Sequence, residues 1–527
     1  MIYHCEDHTC NYWDEGEKLP ERCPQCGRKL LRANEADMTG DDWTALGNTL
    51  WYAEASDKKR MVDCFRKAAY LGSAWGVCNL GICMEQGNGV EADPVQAFWL
   101  YQQAVEMGSL NAVCCLGVCY QYGIGTAPDA EKAAELYCKA AEYGSPRGQM
   151  LLARAFHDGI GVEADAAEAV HWVRAAAYQR YGEGMHRLGV CYAYGDGVEQ
   201  NWEHAVHWFR EAAESGVSVA MTDLGYCYEK GCGVEQSWEQ AFSWYRRGAE
   251  CGYPVSMSNL GLCYKRGYGV EQNWQEAIKW YEQGAQCGDL QSMHNLACCY
   301  ERGEGVEQNM TEAIRWYTAA AEGGNADAMH NLGWHYDHGE GVEQDMKKAI
   351  CWYERAAEQN HPAAMNSLGE CYAMGRGVPR DLETAMEWYR RAAELGEAMA
   401  DYNMGWHLEQ AGKLSEAYAH YRKAADGNDD SAWWALGRFY ENGVVVAQDG
   451  KEARRCYETG EKLGSVKCKM RLARCKLLGI GGRREKKAGL DLCRQALELA
   501  KESSEKEDYG YEAEMNLLRR TIAENES

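Results

Sequence analysis

Apolar residues recur along most of this chain with the spacing of one helix face. Residues 257–264 show the pattern, because Met257, Leu260 and Tyr264 stand at positions i, i+3 and i+7. This spacing is typical of an amphipathic α-helix that buries one side. Gly267 and Gly269 follow, and glycine readily adopts the left-handed conformation found just beyond helix ends. The pattern therefore predicts a helix that stops at these two glycines.

A second helix is predicted after the glycine loop. Residues 276–285 combine the small side chains Ala277 and Ala285 with the large side chains Trp280 and Tyr281. An asparagine or aspartate precedes such segments, with a glutamate three residues later. That arrangement favours capping of the helix N-terminus. Each unit therefore reads as helix, glycine turn, helix.

This pair of helices repeats every 36 residues. A Leu-Gly pair or a close equivalent marks the same position in successive units, at Gly81, Gly117, Ala153, Gly189, Gly225, Gly261, Ala297, Gly333, Gly369 and Gly405. The next step, from Gly405 to Gly437, is four residues shorter. One such pair cannot bury its apolar face alone, so neighbouring pairs must stack. We predict an all-α solenoid of about thirteen helix-turn-helix units between residues 41 and 500.

The repeated motifs resemble those of the Sel-one-like repeat family, which is related to the tetratricopeptide repeats. They are Ala-x-x-x-Leu-Gly-x-x-Tyr, a Gly-x-Gly-Val loop and Ala-x-x-Trp-Tyr-x-x-Ala-Ala-Glu, found for example in residues 328–341 and 349–358. The resemblance covers about nine-tenths of the chain. It implies a right-handed α/α superhelical solenoid that works as an adaptor or scaffold in protein complexes.

Residues 1–32 differ in composition and carry four closely spaced cysteines. Cys5 and Cys10 form a C-x4-C pair, and Cys23 and Cys26 form a C-P-x-C-G pair. Four thiolates on two short loops suit tetrahedral zinc, and so short a segment needs a metal to fold. The segment resembles a zinc ribbon or a rubredoxin-like knuckle, with His8 as an alternative ligand. An iron-bound redox centre and a tail with free thiols are the other interpretations.

The charge of the chain restricts its partners. A net charge of −25 repels phosphate backbones, so nucleic acid is not expected as a partner. The basic segment 467–487 departs from this trend. It is either a solvated face of the closing repeat or a docking surface for an acidic partner, including another copy of this chain. Residues 501–527 are expected to form a C-terminal capping helix or tail.

Cysteine usage and the lack of targeting signals indicate the cytoplasm. The chain starts without a basic and apolar leader and has no run of about 18 apolar residues, so neither secretion nor a membrane partner is expected. Eight of the 25 cysteines share one column of the first helix, where small reduced thiols pack well, namely Cys83, Cys119, Cys191, Cys227, Cys263, Cys299, Cys371 and Cys475. Cys251 and Cys287 lack the second cysteine, eight residues later, that secreted relatives pair with.

A column of polar residues directly precedes the Leu-Gly position. It comprises Asn79, Asp223, Asn259, Asn295, Asn331 and Asn403. In tetratricopeptide-like arrays the first helix lines the concave groove, and an asparagine there grips a peptide backbone through its donor and acceptor. The other interpretation is a hydrogen bond between neighbouring helices that stiffens the stack. Trp334 and Trp406 lie one turn away and are candidate anchors for a partner.

The function expected from these features is non-enzymatic. The main hypothesis is an interaction scaffold that binds a protein or peptide in its groove, with structural zinc as its one cofactor. A β-lactamase-like hydrolase, an activity attached to some cysteine-rich relatives, needs an activated nucleophile that the motifs do not provide. A purely structural spacer is the third hypothesis.

Overall fold

The computed structural model describes residues 2–5, 13–15, 30–33, 35–52, 57–506 and 512–526. It divides into two compact units, Met1–Asn273 and Trp274–Ser527. Across the described residues, thirteen first helices, odd-numbered from α1 to α25, alternate with thirteen second helices, even-numbered from α2 to α26. This alternation confirms the predicted all-α solenoid of helix pairs.

The N-terminal unit begins with a small antiparallel sheet. Strands β1 (Ile2–Cys5), β2 (Trp13–Glu15) and β3 (Leu30–Ala33) lie in the order β2-β1-β3. A short 3-10 helix, Glu35–Asp37, leads into the repeats. The helices that follow are α1 (Gly40–Tyr52), α2 (Lys58–Tyr70), α3 (Ala74–Gln86), α4 (Pro94–Glu106), α5 (Leu110–Tyr122), α6 (Ala130–Glu142), α7 (Pro146–Asp158), α8 (Ala166–Tyr178), α9 (Gly182–Tyr194), α10 (Trp202–Glu214), α11 (Ser218–Lys230), α12 (Trp238–Glu250) and α13 (Pro254–Arg266).

The C-terminal unit continues the same alternation. Its helices are α14 (Trp274–Gln286), α15 (Leu290–Arg302), α16 (Met310–Gly323), α17 (Ala326–His338), α18 (Met346–Glu358), α19 (Pro362–Met374), α20 (Leu382–Glu394), α21 (Ala398–Gln410), α22 (Leu414–Asp426), α23 (Asp430–Asn442), α24 (Gly450–Lys462), α25 (Val466–Leu478), α26 (Lys486–Lys506) and α27 (Glu512–Glu526). The short turn between α21 and α22 is the predicted four-residue deletion.

The glycine loop ends most of the first helices and packs on the preceding repeat, whereas α21 is capped by Ala411 in the short turn. Gly267 is left-handed, with φ 74°, and its amide donates to the Cys263 carbonyl. Gly269 has φ +68°, and a β-carbon there would lie 2.2 Å from the carbonyl oxygen of Trp238 at the start of α12. The loop therefore packs on the N-terminus of the previous second helix. The predicted role of these glycines as helix ends is confirmed.

The core of most repeats is a tyrosine from the second helix packed on the Leu-Gly position of the first, and in two repeats Phe65 or Phe209 takes its place. A β-carbon on Gly225 would lie 2.6 Å from the ring of Tyr245, so glycine is required for this short distance. The tyrosines are among the most completely buried side chains, namely Tyr101, Tyr137, Tyr245, Tyr281, Tyr317, Tyr353, Tyr389, Tyr421 and Tyr457. The glycine column therefore lets a ring of the second helix lie directly on the backbone of the first.

Candidate functional site

In the N-terminal unit, the polar column joins the first helices of neighbouring repeats. Asn79 Nδ2 on α3 donates to Asn48 Oδ1 on α1 at 2.7 Å. Asp223 Oδ2 on α11 lies 2.7 Å from Nε2 of His186 on α9. Asn259 stands half-buried in the same column on α13. The contacts of Asn79 and Asp223 form rungs between repeats on the surface made by the first helices, called here the first-helix face.

The C-terminal unit contains the same kind of rung. Asn331 Nδ2 lies 3.1 Å from His294 Nε2, and Asn403 Nδ2 donates to Asn366 Oδ1 at 3.0 Å. Asn295 accepts a long hydrogen bond of 3.4 Å from Gln291 in its own helix. The stiffening interpretation of the column therefore has direct geometric support. Peptide binding by these amides stays a prediction.

One rung is built from thiols instead of amides. Cys115 occupies the column position on α5, and Arg147 Nη1 donates to its sulfur at 3.5 Å. A hydrogen bond with buried Cys78 on α3 and the charge of Arg147 lower the pKa of Cys115 despite its burial. Among the neighbouring thiols of Cys78, Cys114 and Cys115, that of Cys115 therefore has the lowest pKa, although it is buried.

Two predicted site residues meet in a pocket of the C-terminal unit. Asn403 and Trp406, both on α21, line a cavity of about 370 Å³ together with Glu370, Tyr402 and Met374. Asn403 Nδ2 also donates to Glu370 Oε1 at 3.2 Å. Trp406 is 37% exposed and Met374 60% exposed, so the rim offers apolar surface to solvent.

The electrostatics of this pocket are mixed. Burial raises the pKa of the Glu370 carboxyl, while the charge of Arg376 opposes the shift. Arg376 is itself held by Asp337 on α17, through Nη1 and Oδ1 at 2.8 Å. Fixed aromatic, carboxylate and guanidinium groups around one cavity suit a polar peptide segment with an apolar side chain.

Trp334 lies apart from that pocket. Its ring stacks on His338, with the ring centroids 4.2 Å apart, and it is half-buried on α17. His335 and His407 occupy buried positions in the core cysteine column. Within the described residues there is no group of three histidine, cysteine or acidic side chains that could hold a metal.

The remaining cysteine column is a packing feature. Its members Cys83, Cys119, Cys191, Cys227, Cys263, Cys299, Cys371 and Cys475 are buried. Burial raises the pKa of Cys227 to about 12 and that of Cys191 to about 11. These thiols are neutral at physiological pH and contribute apolar contacts, as predicted.

The predicted zinc ligands fall mostly outside the described residues. Cys10, Cys23 and Cys26 lie in segments that the structure does not describe, and only the backbone of Cys5, in β1, is described. The pairing of β1 with β3 brings the backbone of Cys5 opposite Leu30. The four-cysteine zinc site stays a prediction.

The basic segment 467–487 is partly neutralised by the chain itself. Arg471 Nη2 donates to Glu514 Oε1 of α27 at 2.6 Å, and Arg474 pairs with Glu441. Lys486 and Lys487 at the start of α26 are exposed. Only part of this segment is therefore available to a partner.

The hydrogen-bond acceptors of the core tyrosines were not predicted from the sequence. The buried Tyr245 hydroxyl donates to Glu229 Oε2 at 2.8 Å, sixteen residues earlier in the chain. Tyr101 with Glu85 and Tyr457 with Glu441 repeat this contact at 2.6 and 2.8 Å. The signal was present in the sequence, because tyrosine and a hydrogen-bond acceptor recur sixteen residues apart.

The fold and the polar rungs define a helical-repeat protein, and a comparison with known families agrees. The Sel1 repeat family matches residues 76–109, 112–145, 146–181, 182–217, 218–253, 254–289, 290–325, 326–361, 362–397, 398–429, 432–465 and 466–501. The chain belongs to the Sel1 repeat family. This repeat fold, like the related tetratricopeptide fold, generally mediates protein–protein interaction.

Solved structures include similar proteins. One is a protective antigen present in uropathogenic Escherichia coli strains that displays an SLR fold, and the chain is 29% identical to it. The alignment has a TM-score of 0.55 and covers 81% of this chain and 94% of the antigen. The chain is 31% identical to a Sel1 repeat protein from Oxalobacter formigenes, with a TM-score of 0.43, covering 46% of this chain and 96% of that one. No curated protein matches the sequence.

No helix in the described part of the chain is both long enough and apolar enough to cross a membrane.

Proposed function

We propose that this chain is an intracellular, cytoplasmic scaffold that binds an extended peptide or a partner protein on its first-helix face. The pocket of Asn403 and Trp406 carries the proposal, because it combines an accessible tryptophan with fixed polar groups in one cavity. Exposed aromatic anchors beside pockets are typical of residues that dominate binding energy. The free thiols of the described residues support a reducing compartment.

The peptide would be held by a polar contact with Asn403, which belongs to a rung, and by an apolar contact with Trp406. Asn403 already bonds Asn366 and Glu370, so its amide is oriented in advance, and its carbonyl oxygen could still accept from a peptide N–H. Pre-orientation lowers the entropy cost of binding. The Trp406 ring would supply the apolar contact.

Trp406 provides the cleaner test of this proposal. Substitution of Asn403 would break a rung of the stack, so a loss of binding would not separate the two roles. We would select a peptide from a random displayed library against the full chain and measure its Kd by calorimetry. Trp406→Ala should weaken binding by at least about tenfold, since loss of a central tryptophan anchor costs about 2 kcal/mol or more.

A matched tryptophan on a second helix serves as the control. Trp99 on α4 is 64% exposed, and Trp99→Ala should leave the Kd unchanged. Equal weakening by both variants, or none by either, would contradict binding at the first-helix face. If no library peptide binds at all, the spacer hypothesis becomes the better account.

We further propose that the chain has no catalytic activity. Support comes from the core thiols, which burial keeps neutral, and from histidines such as His335 that are packed within the repeats. Hydrolysis of a β-lactam such as nitrocefin by the purified chain, absent from controls without protein, would refute the proposed lack of catalytic activity.

Structural zinc at Cys5, Cys10, Cys23 and Cys26 is also proposed, on the spacing of the two cysteine pairs. Elemental analysis of the purified full chain should find one zinc per chain, and Cys23→Ser should lower this to near zero. The matched control Cys251→Ser removes an exposed cysteine of the repeats and should retain the metal. Iron in place of zinc, or no metal, would overturn the assignment.

Association between copies through the basic segment 467–487 is proposed for its unpaired part. The double substitution Lys486→Glu and Lys487→Glu should lower the fraction of dimer, and with it the average sedimentation coefficient at low salt. Added salt should have the same effect on the wild type, because it screens surface ion pairs. A sedimentation profile that is independent of salt and of these substitutions would contradict it.

A further inference from the structure

Among the repeats from α1 to α24, one lacks the tyrosine or phenylalanine ring that fills the others. In the second helices, the column of buried tyrosines contains Val173 on α8. The Leu-Gly position facing it is Ala153 on α7. In the repeat of Tyr245, the ring lies against Gly225 and close to the thiol of Cys263 in the next first helix. Val173 is too short to fill the corresponding space.

The space left by the missing ring is a cavity of about 380 Å³. Its apolar wall includes Ala153, Val173 and Cys191, which occupy the positions of Gly225, Tyr245 and Cys263. A dry apolar cavity of about 150 Å³ already holds benzene in a protein. The volume is therefore sufficient for a six-membered aromatic ring.

The rim of the cavity is polar at the place where the missing tyrosine would end. His157 stands sixteen residues before Val173, the position from which Glu85 and Glu229 accept hydrogen bonds from Tyr101 and Tyr245. The His157 imidazole is held by two carboxylates. Its Nδ1 lies 2.7 Å from Asp158 Oδ1, and its Nε2 lies 3.3 Å from Asp196 Oδ2.

Two arginines complete this network. Arg154 Nε donates to Asp158 Oδ2 at 3.4 Å, and Arg187 Nη2 donates to Asp196 Oδ2 at 3.3 Å. Both arginines and both aspartates line the cavity. The network offers fixed hydrogen-bond donors and acceptors beside an apolar wall, which is the arrangement that binds a phenol and discriminates it from a plain benzene ring.

We propose that this cavity binds a tyrosine side chain of a partner protein, whose ring takes the place of the missing core tyrosine. The hydroxyl would meet the carboxylates and the imidazole of Asp158, Asp196 and His157. The occupant follows from the repeat and from the rim together, since aromatic rings, most of them tyrosines, fill the equivalent space in other repeats, and the polar rim suits a hydroxyl group. The assignment rests on the proposed scaffold function, but the cavity can be tested without any partner.

The probe is N-acetyl-L-tyrosinamide, titrated into the full chain by calorimetry and by saturation-transfer NMR. We expect a Kd near or below about 1 mM, in keeping with the efficiency of small ligands. N-acetyl-L-phenylalaninamide, which lacks the hydroxyl, should bind about tenfold more weakly, and N-acetyl-L-leucinamide should not bind measurably.

Val173→Tyr tests the location, because the new ring should fill the cavity from inside. This variant should lose binding of N-acetyl-L-tyrosinamide and unfold at a higher temperature. The matched control Val95→Tyr places the same residue at an exposed position of α4 and should bind as the wild type does. If Val173→Tyr does not fold, His157→Ala provides the second test, since it should remove the preference for tyrosine over phenylalanine.

The proposal is overturned if the wild type does not bind N-acetyl-L-tyrosinamide, or if Val173→Tyr binds it as well as the wild type. These results are independent of the peptide experiment on Trp406. If the wild type binds no library peptide but still binds N-acetyl-L-tyrosinamide, the scaffold function is contradicted, while the ligand-binding cavity itself stands.

Discussion

The bond between each core tyrosine and its acceptor should be a measurable part of repeat stability. Tyr245 is almost completely buried, and its hydroxyl donates to Glu229 Oε2 at 2.8 Å. Burial, followed by the charge of Glu229, raises the pKa of Tyr245, so the phenol stays protonated and acts as the donor. Glu229 Oε1 also forms an ion pair with Lys230 at 2.7 Å.

Tyr245→Phe removes this donor without changing the ring. A hydrogen bond to a charged acceptor contributes about 1.5–3 kcal/mol. Because the Glu229 side chain is 20% exposed, water recovers part of the loss, and we expect about 1.5 kcal/mol of destabilisation. The measurement is the free energy of unfolding in urea, with hydrogen exchange of α11 and α12 as a local readout, because repeat arrays need not unfold in one step.

Tyr389→Phe is the matched control. The residue sixteen positions earlier is Ala373, which has no side-chain acceptor, so this substitution should cost clearly less than Tyr245→Phe. A double-mutant cycle of Tyr245→Phe with Glu229→Ala should give a coupling energy of about 1 kcal/mol. Equal costs for the two tyrosines, or a coupling energy of zero, would refute the reasoning.

Two further predictions concern stability. Burial, followed by the charge of His361, lowers the pKa of His330 to about 4. Between pH 6.5 and pH 4 the His330 side chain is therefore protonated in the unfolded chain but not in the folded chain. The free energy of unfolding should fall by about 3 kcal/mol as the pH is lowered through this range. His330→Gln should flatten this part of the urea-denaturation pH profile, and an unchanged slope would contradict the assignment. Gly269→Ala should cost about 1–2 kcal/mol more than Gly252→Ala in thermal unfolding, because both glycines have positive φ but only Gly269 faces a carbonyl oxygen; equal costs would contradict the packing of the loop.

Periodic features of this protein could be predicted from the sequence. The 36-residue spacing, the glycines that end first helices and the cysteine column each depend on local or nearest-neighbour packing, which every repeat shows again. The shortened step at Gly412 was predicted for the same reason, since four missing residues can only shorten the turn between α21 and α22.

Features that depend on pairs of side chains from different repeats were harder to predict. For Asn403 the sequence left open both a peptide groove and a bond between helices, and it did not identify Asn366, thirty-seven residues earlier, as the partner of the Asn403 amide. The partner in these rungs changes chemistry, from Asn48 to His186 and His294, so no single motif marks it. The cavity at Val173 was missed because a valine in an apolar column still fits the helical pattern.

The central claim is that a partner binds at the first-helix face. Site-specific photo-crosslinking tests it most directly, with a benzophenone amino acid introduced in the full chain at Met374, on the rim of the Trp406 pocket, or at Leu395, an exposed position just after the second helix α20. The account predicts that a peptide selected by the wild type crosslinks from position 374 and not from position 395. Crosslinking from position 395 alone, or equally from both, would contradict it.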